Sequence, residues 1–343
     1  MKQYCSPELY IGGEQIYNFS SVKFSEKGGS TINSLSVTLT DPVYDEYRWY
    51  NQKVEFFLNY GSPDTVPLFR GYVRQINPTD RSFSFTAMDP RTFLTGKEST
   101  PINLTDTNNY DGYTLTQFIY SYINNVINTN GVLIGLDMLN ETDPPVLMKG
   151  TRESGDVYKF ISGAVPRNTN DIKKPYNYNI KMVEGIEHSN IVINRERDIE
   201  GVPATEFSYE DGIEKLSAKR RPSPNLYNIK TEDDKIITYK KGNMSTGPIG
   251  KELKGKFLDT DSAKISAIID SIIEEDEVQE VNMTVTKGHY LGTGNVVKLN
   301  VEDDELRRVH RIKSRELSWS TTAGVKTTFV LNKDIPTMKS YLQ

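Results

Sequence analysis

The stretch FRGYVRQINPTDRSFSFTAMD, residues 69–89, decides how this chain reads. Phe83, Phe85 and Ala87 recur at every second position with polar residues between them, the pattern of a half-buried strand. A polar turn separates this run from a preceding strand through Val73 and Ile76, so the stretch reads as a β-hairpin. Near the other end, VHRIKSRELSWSTTAGVKTTFVLNKD (309–334) repeats the order. Val309-x-x-Ile312 answers Val73-x-x-Ile76, a longer turn follows, and TTFVLNKD ends at Asp334 as SFSFTAMD ends at Asp89. Paired hairpins of this kind suggest two related β regions that bracket an insertion.

Outward from the first hairpin, Leu35, Val37 and Leu39 alternate within SLSVTLT. KVEFFLNYG (53–61) and VPLFRGYVRQI (66–76) flank a Gly-Ser-Pro-Asp turn at 61–64, with residues that hairpin loops favour. Five or six strands fall in the first ~90 residues, which predicts a small antiparallel barrel or sandwich. After Gly96 the chain turns polar, and then Leu115, Phe118, Ile119, Tyr122, Val126 and Ile127 fall on one helical face behind a Thr114/Gln117 capping box. A short helix at 154–161, capped by Ser154, and strands in YNYNIKMVEG and NIVINRE complete a mixed α/β segment over 100–203. From Thr205 strands return in TEFSYE, IEKLSAKR, NLYNIKTED and KIITYKK, and GNMSTGPIG (242–250) breaks them. A helix is expected at 262–273, where Ile265, Ile268, Ile269 and Ile272 share a face behind a Thr260 or Asp261 cap. Strands resume in VNMTVTKG (281–288), NVVKLNVE (295–302) and the closing hairpin.

At 343 residues, and roughly 150 per domain, two or three domains are expected. The 41 basic and 46 acidic residues leave a net charge of −5, which argues against sequence-specific nucleic-acid binding, since that calls for a basic stripe. Alanine, the best helix former, occurs at only seven positions, so strands should dominate. A 36% apolar content with 20 Tyr and 13 Phe gives a chain that folds and keeps much polar surface. Cys5 is the sole cysteine, which excludes an intrachain disulfide and a multi-cysteine zinc site. The N-terminus lacks an apolar signal core and no apolar run approaches the ~20 residues of a membrane span. A chain made in the cytoplasm, and kept there or in something assembled there, is expected.

Catalytic motifs fail one by one. His188, His289 and His310 stand outside any zinc spacing and read as surface or strand histidines. No serine elbow, S-x-x-K site or kinase catalytic loop is present. LGTGNVV (291–297) leads into no helix, and STGPIGKE (245–252) has Ser245 for the first Walker glycine and Glu252 for the magnesium-binding hydroxyl, so both read as turns. The acids at 274–277 and 302–305 read as solvated hairpin tips. In DTDSAK (259–264) Lys264 occupies the place of the calcium-loop glycine. No catalytic, cofactor-binding or metal residue is assigned, and no enzyme activity is expected.

The C-terminal region nevertheless resembles a known group. The run TEFSYEDGIEKLSAKRRPSPNLYNIKTEDDKIITYKK, the helix SAKISAIIDSII, VNMTVTKGHYLGTGNVVKLN and the closing hairpin are similar to bacteriophage tail or baseplate hub proteins. These are the late control protein D-like group, related to the base of type VI secretion spikes. The family's Asn-x-Ile/Val strand is placed at Asn228 and Ile229, which are adjacent and so depart from its spacing; its Gly-x-x-Val-x-Leu strand is matched at Gly294 to Leu299, and its closing hairpin at Val309 to Leu331. Phe69-Arg70-Gly71-Tyr72-Val73-x-x-Ile76 is similar to the family's Phe-x-Gly-x-Val/Ile motif in the first barrel. The resemblance implies a mainly β chain with an α/β insertion: a tube-like antiparallel β-barrel over 1–99, the insertion over 100–203, a second barrel with one helix over 204–335, and a tail over 336–343. It further implies a structural virion protein of the tail baseplate or tip, assembled in the host cytoplasm. In that role a homotrimer adapts the six-fold tail tube to a three-fold tip or spike and leaves a channel for DNA and tape measure during genome ejection. Implied partners are the tail tube protein, a central spike or tail tip protein, the tape measure protein and baseplate wedge proteins. Two other readings stay open: a carbohydrate-binding receptor protein, with Tyr47, Trp49 and Tyr50 stacking on sugar rings, and a tail-associated peptidoglycan hydrolase.

Overall fold

Alternating buried side chains mark β-strands at Glu8–Ile11, Ser34–Leu39, Lys53–Phe57 and Phe83–Met88 of the large sheet. The structure, a computed structural model, describes residues 5–28, 32–40, 46–78, 82–94, 134–138, 176–182, 189–195, 203–219, 226–230, 236–240, 249–254, 280–304 and 306–332. The helices expected at 114–127, 154–161 and 262–273 lie outside these residues, as do His188, the acids at 274–277, the DTDSAK stretch and the tail.

The N-terminal strands are β1 (Glu8–Ile11), β2 (Glu14–Ile16), β3 (Phe19–Lys27), β4 (Ser34–Leu39), β5 (Lys53–Phe57), β6 (Phe69–Pro78) and β7 (Phe83–Met88). Leu35, Val37 and Leu39 on β4 and Phe83, Phe85 and Ala87 on β7 all face one core, as their alternation requires. The middle of the chain supplies β8 (Ile134–Met138), β9 (Tyr176–Met182) and β10 (Ser189–Arg195), which form a separate three-stranded mixed sheet. Then come β11 (Thr205–Phe207), β12 (Ile213–Lys219), β13 (Leu226–Lys230), β14 (Ile236–Lys240), β15 (Ile249–Lys254), β16 (Glu280–Val285), β17 (Val296–Leu299), β18 (Val309–Ser320) and β19 (Gly324–Asn332).

Two sequence expectations shift here. The strands in NLYNIKTED and KIITYKK do not join the large sheet: β13, with Asn228 and Ile229, pairs with β14 and β15 in a sheet of three. Within the STGPIGKE stretch, expected as a turn, the described residues from Ile249 onward run as β15, parallel to β13.

Among the described residues the large sheet has thirteen strands, and its path repeats. β3-β4-β7-β6-β5-β1 is followed across one junction by β12-β16-β19-β18, with β17 and β11 beyond β18. Leaving β2 aside and numbering each half in chain order, both halves run second, third, sixth, fifth, fourth, first. Neighbours are antiparallel in both, except that β11 lies parallel to β17 where β1 lies antiparallel to β5. Each half encloses its own apolar core.

The repeat extends to single residues. A bulge at Ser20 on β3 matches one at Glu214 on β12, and a bulge at Arg74 on β6 matches one at Lys313 on β18. Aligned on these bulges, Leu35, Val37 and Leu39 fall on Val281, Met283 and Val285, Phe85 falls on Phe329, and Val54 and Phe56 fall on Val297 and Leu299. All ten are buried. The turns agree as well. Asn51 N–H donates to Val73 O (3.0 Å) and Val73 N–H to Gln52 O (3.0 Å). In the second half Gly294 N–H donates to Ile312 O (2.9 Å) and Ile312 N–H to Asn295 O (2.9 Å).

Asn51 and Gly294 both carry positive φ, 64° and 87°. A Cβ at Gly294 would meet nothing within 4 Å, so a side chain there adds backbone strain and no clash. Gly294→Val is expected to cost about 1–2 kcal/mol and Gly294→Asn clearly less, since asparagine already serves at the matching turn. Denaturant titration of both variants tests this, and equal losses would count against it.

Candidate functional site

The junction between the halves is a second sheet contact made by one strand. β18 pairs through Val309–Arg311 with β17 of its own half and, past the bulge at Lys313, through Ser314–Ser320 with Lys27–Ser21 of β3. This places Leu317 inside the core of the first half, with Trp319 packed against it and tilted on Phe19 at 5.3 Å.

Arg315 and Glu26 face each other at the seam, 2.6 Å apart and nearly enclosed. The Arg315 guanidinium lies 4.9 Å above the Phe24 ring and donates to His289 O at 3.1 Å, while Thr293 Oγ1 donates to Glu26 Oε1 at 3.0 Å. Burial lowers the Arg315 pKa and the Glu26 carboxylate opposes that shift, so the guanidinium depends on its partner. Tyr60 closes the seam from the first half. Its ring meets His289 edge-on at 4.5 Å, its N–H donates to the Tyr290 oxygen at 2.5 Å and its hydroxyl donates to Thr286 O at 3.2 Å.

The residues singled out in the sequence take structural places. Trp49 is buried against Phe83 and Phe85, so it offers no sugar platform, whereas Tyr50 is exposed beneath the Arg74 guanidinium. Cys5 donates to Leu58 O at 3.1 Å and burial pushes its thiol up to about 11, which makes it a poor nucleophile. Asp303 O accepts from the N–H groups of Leu306 and Arg307 in a tight turn. His310 lies on a strand as expected, but His289 does not lie on the surface: it is buried in the seam. His289 Nδ1 lies 2.8 Å from Thr327 Oγ1, and His310 Nε2 donates to Leu306 O at 3.1 Å. Among the described residues no cluster of His, Cys, Asp and Glu could hold a metal ion, and no helix is long and apolar enough to cross a membrane.

Burial lowers the pKa of both histidines below the ordinary 6.5. The unfolded chain therefore takes up protons before the folded one, and the contribution present above pH 6.5 is lost as pH falls below it. The melting temperature is expected to drop between pH 7 and pH 5, and less in a His289→Gln/His310→Gln variant. An equal drop in both proteins would assign the acid sensitivity to other groups.

The sequence matches no protein-family model and no curated protein. Solved structures do match. The tail protein from Neisseria meningitidis MC58 is 14% identical, with 96% of this chain and 97% of that chain covered at a TM-score of 0.69. The 43 kDa tail protein of prophage MuSo2 from Shewanella oneidensis is 13% identical, with 97% and 99% covered at a TM-score of 0.69. An E. coli component of the type VI secretion system, described as similar to bacteriophage T4 tail proteins gp27 and gp5, is 12% identical, with 96% and 77% covered at a TM-score of 0.63. At these identities the shared property is the fold. The structural neighbours are phage tail and type VI spike proteins, the same group that the sequence resembles.

Proposed function

We propose that the chain is a structural phage tail protein, the baseplate hub, which works as a homotrimer between a six-fold tail tube and a three-fold tip or spike. The observation that carries this reading is the repeated strand path with its matched bulges, within a fold shared with tail proteins. Two like halves per chain turn three copies into six near-equivalent β units around one axis. Each half acts as a tube-like barrel, over 1–99 and 204–335, and the segment over 100–203, whose described strands lie outside the repeated path, is free to make contacts of true three-fold symmetry. Partners are then the tail tube protein on one side, the spike or tip protein on the other, and the tape measure and wedge proteins nearby, in a virion assembled in the host cytoplasm. Three copies at −5 each suit a channel through which DNA slides without sticking. The placement of His289, His310, Cys5 and Trp49 in cores and seams favours this structural role over hydrolase or sugar-binding work. Light scattering on the purified 39.0 kDa chain tests it. A particle near 117 kDa is expected, and a hexamer of whole chains would contradict it.

A further inference from the structure

We infer that the open edge of β12 pairs with the C-terminal end of β6 from a second copy of this chain, antiparallel, in the register that β18 takes on β3 within one chain. The number of copies rests on the hub reading above; the pairing itself rests on the repeat.

Three observations converge on it. First, β12 ends the large sheet and has β16 as its one strand partner among the described residues. Its inward row is poorly covered: Leu216 is half-buried and Ala218 exposed, whereas the matching Val22 and Phe24 are buried because β18 lies beside β3. Second, β6 uses its edge as β18 does. Phe69–Tyr72 pair with β5, the bulge follows at Arg74, and beyond it Gln75–Pro78 pair with β7 on one side and with no strand on the other among the described residues. Those four residues align with Ser314–Leu317, which receive β3. Third, the in-chain seam joins unlike strands head to tail, and such a contact repeats from copy to copy until the ring closes.

The register follows from the template. Glu316 stands opposite Ser25 and Leu317 opposite Phe24, so Asn77 of one copy should stand opposite Lys219 of the next, and Pro78 opposite Ala218. The contact between copies is weaker than the seam within a chain. β18 runs three residues further, to Ser320, whereas Pro78 supplies no N–H and ends its strand. The position that matches Arg315 is Ile76, so the buried ion pair has no counterpart. Each chain should therefore complete its own seam before copies join.

Full-length Cys5→Ser/Asn77→Cys/Lys219→Cys tests the pairing under mild oxidation, with Cys5→Ser/Asn77→Cys/Lys215→Cys as the out-of-register control. Opposed residues lie about 4.5–5.5 Å apart at Cα, within disulfide reach, and the control pair lies roughly four strand positions apart, at about 13 Å. Covalent dimers and trimers are expected, at least tenfold above the control. A trimer by light scattering without that excess overturns the edge pairing and leaves the hub reading standing. A ladder past three chains keeps the pairing and overturns the closed ring. A monomer without cross-links overturns both.

Discussion

Glu26→Ala is expected to destabilise the protein by about 3–5 kcal/mol, because it strands the Arg315 guanidinium as a buried charge without its partner. The loss should be visible by fluorescence: Trp49 lies in the core of the first half and Trp319 packs against that core from the seam. Replacing both charges together, Glu26→Leu with Arg315→Met, should recover most of the loss, since two apolar side chains leave no charge to desolvate. Denaturant titration of the single and double variants decides the matter. A single-variant cost below about 1 kcal/mol, as an exposed ion pair would give, would contradict a buried, mutually dependent pair.

Gly71→Val should be the most damaging glycine substitution among the described residues of the first half. A Cβ at Gly71 would stand against the Met88 carbonyl oxygen and 2.5 Å from Phe69 Cζ, and backbone cannot yield as a flexible side-chain end can. Overpacking in a filled core costs about 1–3 kcal/mol, occasionally more, and a β-branched side chain against backbone belongs at the upper end. Gly71→Val should therefore lower the melting temperature further than Gly294→Val, whose site is open. Thermal melts of the pair check this, and the reverse order would contradict it. The half-to-half alignment sharpens the point, since the position matching Gly71 is the buried His310. The second half has room for a large ring where the first has none.

The strands of the large sheet were legible because their inward rows alternate: Leu35, Val37 and Leu39, or Phe83, Phe85 and Ala87. The relation between the halves was legible only in outline. Val73-x-x-Ile76 and Val309-x-x-Ile312 do lie on matching strands, but in registers three residues apart, with Val73 aligned on Ile312. The bulges explain the offset. In a regular strand, residues three apart face opposite sides, and the extra residue at Arg74 returns Ile76 toward the side of Val73. The bulge at Lys313 does the same for Ile312 and Arg315. Arg315 therefore points inward from a run whose plain alternation would turn it outward, and the ion pair with Glu26, 289 positions away, left no local signal. The sheet of β13, β14 and β15 was illegible for another reason: alternation marks a strand as half-buried without saying which sheet it joins.

Electron cryomicroscopy of the purified oligomer tests the central claim most directly. Six β units that superpose strand for strand around one axis, with three-fold symmetry in everything else, are expected. A ring holding six whole chains, or halves that lie at different distances from the axis and share no common orientation to it, would contradict the claim that two halves of one chain stand in for two subunits.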